Sequence, residues 1–179
     1  MPRYVVLLRG INIGSRNRIS MPELRAALED ATFTDVQTYL QSGNVVLPSR
    51  AKPESVAPKV ERVIAERFGL QIAVLIRSRE DLAKIVRRNP LGSVAQDPKR
   101  HQVTFLADLL SSEVVDRLKS LRAKGEELEV IGREVYAWHP SGVARSRLWA
   151  ELAGKRLSVT ATSRNWATVE ALLALTDTG

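Results

Sequence analysis

The apolar run Tyr4–Leu8 is aliphatic and β-branched and closes on the glycine-bearing stretch Arg9-Gly10, the pattern of a buried strand. A helix is predicted over Met21–Glu29, with Ser20 as N-cap, Glu23 in the capping-box position, and Leu24 and Leu28 on one face. Val36–Gln41 and Asn44–Leu47 read as two strands joined by a tight turn at Ser42-Gly43. The strongest helical pattern is Pro53–Phe68, where Val56, Val60, Val63, Ile64 and Phe68 form a stripe and Gly69 supplies the stop. Pro58 fits that helix only if it falls in the first turn, where a missing N–H costs little. Ile72–Ile76 is a predicted strand, and Ser78-Arg79-Glu80-Asp81 opens a short helix carrying Leu82, Ile85 and Val86.

Residues Asn89–Arg100 carry Pro90, Gly92 and Pro98 and no apolar period, which marks a boundary. Beyond it the pattern gives a strand at His101–Leu106, a helix at Ser112–Leu121, and a hairpin of Leu128–Ile131 and Val135–Trp138 about Gly132-Arg133. A helix at Arg145–Leu152, a short strand at Leu157–Ala161 and a helix at Asn165–Leu175 complete the chain. The order strand, helix, strand, strand, helix, strand, helix therefore occurs twice. Two dipeptide echoes, Pro48-Ser49 with Pro140-Ser141 and Ser78-Arg79 with Ser163-Arg164, add to the case for duplication. The expected fold is α+β: two ferredoxin-like, split β-α-β subdomains (1–89 and 101–179), a linker at 90–100, and an extra helix after each. In that arrangement the first two strands run parallel with the third between them. The loop after strand one and the turn between strands two and three then lie at the same end of the sheet.

Composition narrows the chemistry. A chain of 179 residues, 44% hydrophobic, suits one domain or two packed subdomains of about 90 residues. Twenty-seven Lys and Arg against twenty Asp and Glu give +7, which favours anionic partners; an Arg-rich compositional bias is the plain alternative. The absence of cysteine removes disulfides, thiol nucleophiles, iron–sulfur clusters and Cys-type zinc, and suits a reducing cytoplasm. Tyr4–Leu8 is too short for a signal-peptide core, and no segment approaches a membrane span, so no membrane partner is expected.

The candidate chemistry sits first in Arg9–Arg18. Two glycines, three arginines and two asparagines with no acid lead from a strand into a helix N-terminus, which are the ingredients of an anion site. Arg16 and Arg18 would supply charge, Asn12 and Asn17 neutral donors, and Gly10 and Gly14 close backbone approach, with Arg9 also at the site. The loop is neither a P-loop nor a dinucleotide fingerprint, and its plain alternative is a long connection with solvated arginines. The second stretch is Gln41-Ser42-Gly43-Asn44, with Gln41, Ser42 and Asn44 as added polar groups; an ordinary hairpin turn explains it equally. A second anion site is conceivable at Arg164 and Asn165, although Asn165 reads as a helix N-cap and Arg164 as an ion-pair partner. Glu134, Tyr136 and Trp138 alternate and so share a sheet face, where aromatics could stack on bases. His101 and His139 have no metal-ligand spacing, so no metal is expected. Glu126-Glu127 and Glu80-Asp81 read as turns and helix flanks, no general acid–base pair is evident, and neither a catalytic residue nor a cofactor is indicated.

Four stretches carry a family likeness: Tyr4–Gly14, Met21–Leu24, Thr38–Val46 and Thr162–Val169. Together they resemble the bacterial domain of unknown function 1697 family. The resemblance implies two ferredoxin-like halves and signature positions at Arg9–Asn12, Gln41–Asn44 and Arg164–Trp166, with Ser163 and Ala167 as departures; it implies no activity. The function expected is binding of a phosphate-bearing small molecule at the end of the first sheet. The alternatives are nucleic-acid binding through the basic surface, and an enzyme acting on a phosphorylated small molecule or nucleotide.

Overall fold

A computed structural model describes residues 1–178. Its elements run β1 (Arg3–Leu8), α1 (Met21–Asp30), β2 (Gln37–Tyr39), β3 (Asn44–Pro48), α2 (Pro53–Phe68), β4 (Val74–Ser78) and α3 (Arg79–Arg88). Then follow β5 (His101–Leu106), α4 (Ser112–Ser120), β6 (Glu127–Ile131), β7 (Glu134–Trp138), α5 (Arg147–Ala153), β8 (Ala161–Asn165) and α6 (Trp166–Thr176). The fold is α+β, with two four-stranded antiparallel sheets and six helices among the described residues. The chain divides into two compact units, one of Met1–Ile85 with the last stretch from Ala171, the other Val86–Glu170. No helix among the described residues is long and apolar enough to cross a membrane.

The first unit's sheet has the order β2-β3-β1-β4, and the second repeats it as β6-β7-β5-β8. Every neighbouring pair is antiparallel, so β1 and β2 run parallel with β3 between them. In the first unit, Tyr4, Val6, Leu8, Val45 and Leu47 on one sheet face meet Leu24, Leu28, Val56, Val60 and Ile64 of α1 and α2. In the second, Leu106, Val135 and Ala137 meet Val114, Leu118, Leu148 and Leu152 of α4 and α5.

Equivalent main-chain bonds relate the two sheets. The Leu8 amide donates to the Gly43 carbonyl at 2.9 Å, as Leu106 does to Arg133 at 2.9 Å; Arg9 donates to Ala73 at 2.9 Å, as Ala107 does to Thr160 at 2.8 Å. This register corrects the dipeptide echoes. Ser78 lies opposite Tyr4 where Asn165 lies opposite Gln102, and Pro48 lies opposite Arg3 where Trp138 lies opposite His101. Equivalent positions are therefore two residues away from those the dipeptides suggested, and Arg77 corresponds to Arg164.

Three local expectations change. The first hairpin closes through four residues, Leu40–Gly43, because Leu40 (φ 57°) and Gly43 (φ 86°) both take left-handed backbone, so β2 ends before Gln41. The last strand is Ala161–Asn165, not Leu157–Ala161; Leu157 is buried in the core from outside the sheet. Pro58 lies beyond the first turn of α2, which continues through it to its left-handed Gly69.

Candidate functional site

The connection from β1 to α1 takes twelve residues, whereas the equivalent connection from β5 to α4 takes five. The fold itself therefore does not require the long loop. Its course is set by four left-handed residues: Gly10 (φ 68°), Asn12 (φ 53°), Gly14 (φ 57°) and Asn17 (φ 49°). Glycine and asparagine are the residues that reach this region most readily. Asn12 closes the loop. Its Oδ1 accepts from the Ile19 amide at 2.8 Å, and its Nδ2 donates to the Ile19 carbonyl at 2.9 Å and the Gln41 carbonyl at 2.7 Å. The Asn12 amide donates to the Asn17 carbonyl at 3.0 Å, and Asn17 Nδ2 donates to the Gly10 carbonyl at 3.0 Å. Both amide hydrogens of Asn12 are thus spent on the framework, and Asn17 is held by the loop as well.

The arginines sit on this frame. Arg16 and Arg18 are exposed and pair with no acid among the described residues; Arg18 donates to the Gly14 carbonyl at 3.0 Å. Arg9 is half-buried at the end of β1. The amides of Gly14, Ser15 and Arg18 lie on exposed residues and donate to no group among the described residues. Such amides, next to left-handed residues and guanidinium groups that pair with no acid, are donors of the kind an anion takes. The Asn12–Gln41 bond brings the hairpin turn to the loop, so Arg9–Arg18 and Gln41–Asn44 do meet at one end of the sheet. Gln41 is exposed and Ser42 is exposed, but Asn44 is wholly buried, its Nδ2 donating to the Tyr39 carbonyl at 2.9 Å and to Ser42 Oγ at 2.9 Å. At Gly43 a Cβ would stand 2.8 Å from Leu8 Cβ and 2.9 Å from Ile11 Cδ1, so glycine lets the turn lie directly on the loop's anchor residue.

The other sequence candidates lie in the second unit. Asn165 caps α6, its Oδ1 accepting from the Thr168 amide at 2.9 Å. Arg164 is buried and donates to Thr162 Oγ1 at 2.7 Å and the Ser163 carbonyl at 2.8 Å; burial pushes its pKa down to about 10. Trp166 stacks on His101 with ring centroids 4.5 Å apart, and burial pushes that imidazole down to about 4. Tyr136 is 0% exposed, which rules it out as a base-stacking platform.

Sequence reasoning missed a polar cluster in the second unit. Glu126, His139 and Ser146 come together beside a cavity of about 470 Å3. His139 Nδ1 donates to Glu126 Oε2, Ser146 Oγ donates to the same oxygen at 2.6 Å, and the Ala123 amide donates to Oε1 at 2.9 Å. Burial pushes the Glu126 carboxyl up, but the Ser146 hydroxyl, the Ala123 amide and His139 outweigh it and hold the pKa below its ordinary value. An ionised carboxylate only accepts, so Nδ1 carries the imidazole proton. Ser146 also caps α5 by accepting from the Trp149 amide at 3.0 Å, so serine and carboxylate meet the same imidazole nitrogen and no nucleophilic triad is formed. The available signal was Gly125 and Gly142, both left-handed, flanking Glu126 and His139.

Comparison with known proteins follows this geometry. A family described as Protein of unknown function (DUF1697) matches residues 1–136, a span that includes the long loop and the first hairpin and stops before Arg164. Among solved structures, the chain is similar to the conserved bacterial protein SP0830 from Streptococcus pneumoniae, with a TM-score of 0.80 and 24% identity over 98% of each chain. That likeness is one of fold. No curated protein matches the chain.

Proposed function

The chain belongs to the DUF1697 family of proteins of unknown function, and we propose that it binds a phosphate-bearing small molecule at the end of its first sheet. The observation carrying this reading is a loop of twelve residues where the equivalent connection needs five, braced by Asn12 and bearing Arg16 and Arg18, which pair with no acid among the described residues. Arg16 and Arg18 contact the phosphate, with the amides of Gly14 and Ser15 as further donors, and Arg9, Gln41 and Ser42 border the ligand. Asn12, Asn17 and Asn44 hold the two loops in register. The repeated strand order and the equivalent main-chain bonds support reading each unit as ferredoxin-like and the chain as a duplication.

The test is a thermal-shift panel of nucleotides, sugar phosphates, pyrophosphate, inorganic phosphate and short RNA and DNA at low and moderate salt. A ligand at a hundred times its dissociation constant stabilises the fold by about 2.7 kcal/mol. Stabilisation by a small phosphate compound, lost in Arg16→Ala/Arg18→Ala, supports the reading. Stabilisation by polynucleotide alone, fading with salt, replaces it with nucleic-acid binding. Turnover of a stabilising phosphate ester would extend it to an enzyme.

A further inference from the structure

The cavity of the second unit lies between the turn before β6 and the loop from β7 to α5. That loop takes eight residues, whereas its equivalent from β3 to α2 takes four, so again the fold does not require its length. Pro140 closes over Gly125, where a Cβ would stand 3.2 Å from Pro140 Cγ, and this joins the two walls. A volume of about 470 Å3 falls in the range of small-molecule sites.

The lining has two opposite characters. Glu126 is 8% exposed, and its carboxylate has accepted from Ala123, His139 and Ser146 yet retains acceptor capacity. Lys124 and Arg145 also line the cavity, are exposed, and pair with no acid among the described residues. The two cations call for an anionic group. The carboxylate, already partnered by an imidazole, calls for a neutral hydroxyl donor and repels a bare anion. We propose that this cavity binds a small hydroxylated anion of the sugar-phosphate class, its anionic end on Lys124 and Arg145 and a hydroxyl donating to Glu126. This site is independent of the Arg9–Arg18 loop and stands or falls separately from it.

The test uses the full chain carrying Arg16→Ala/Arg18→Ala, so that the first loop contributes no phosphate binding. Glucose 6-phosphate, glucose and inorganic phosphate are each titrated while amide resonances are followed by NMR. The expected result is saturable binding of glucose 6-phosphate at least tenfold tighter than either fragment, with shifts centred on residues 123–126 and 140–146. Adding Lys124→Ala/Arg145→Ala, both at exposed positions, is expected to weaken it at least tenfold. Equal affinity for inorganic phosphate would overturn the hydroxyl contact to Glu126. Shifts located elsewhere, unchanged affinity in the Lys124/Arg145 variant, or no saturable binding of glucose 6-phosphate would overturn the proposal.

Discussion

Replacing Asn12 by alanine removes three hydrogen bonds at once: those to the Ile19 amide, the Ile19 carbonyl and the Gln41 carbonyl. Each contributes about 1 kcal/mol net, and the Ile19 amide, on a residue 2% exposed, is left without an acceptor. Alanine at φ 53° adds about 1 kcal/mol of backbone strain that asparagine tolerates better. The expected loss is about 4–5 kcal/mol, read as a lower urea midpoint at unchanged slope. Asn17→Ala is the internal comparison, because it removes one exposed bond to the Gly10 carbonyl and places alanine at φ 49°, and it should cost about 2 kcal/mol. If Asn12→Ala is as mild as Asn17→Ala, the loop is not braced from within, and the argument that it is a built structure fails.

Other outcomes follow from particular residues. His101 stays neutral down to about 4 in the fold against 6.5 as its ordinary value. Its contribution is full above pH 6.5 and is lost as pH falls towards 4, by about 3 kcal/mol; urea titrations at pH 7.5 and 4.0 should show that slope shrinking in His101→Gln, and an unchanged slope would contradict it. Gly43→Ala should destabilise by about 2–3 kcal/mol, since its φ of 86° and the contacts with Leu8 and Ile11 are both unsuited to a Cβ. Leu40→Asn should stabilise by about 0.5–1 kcal/mol, because Leu40 is 56% exposed at φ 57° and asparagine suits that backbone better; a loss in thermal midpoint would contradict this.

The order of elements was legible because it is written in local apolar periods, and the pairing of the long loop with the first hairpin followed from that order alone. What escaped has physical causes. The first turn looked like two residues because an exposed leucine rarely adopts a left-handed backbone, so Leu40 read as strand. Ala161–Asn165 reads as a helix cap: its polar residues serve a sheet edge and then the start of α6, while Leu157 contributes the apolar burial nearby. The asparagines of the long loop read as ligand donors by type, but their donors are mostly spent on carbonyls that only the folded loop brings near. Glu126 lies in the turn before β6 while His139 and Ser146 stand at the two ends of the β7–α5 loop, and nothing in their spacing announces that one carboxylate oxygen accepts from both partners.

The most direct measurement is calorimetric titration of the full chain, at low salt, with the phosphate compound that stabilises it most, repeated on Arg16→Ala/Arg18→Ala. Both arginines are exposed and unpaired with acid, and only the Arg18 bond to the Gly14 carbonyl is lost, so the variant should be destabilised by no more than about 1 kcal/mol. The account predicts at least a hundredfold weaker binding, about 1.4 kcal/mol for each guanidinium contact removed. Affinity unchanged in the variant would contradict the central claim.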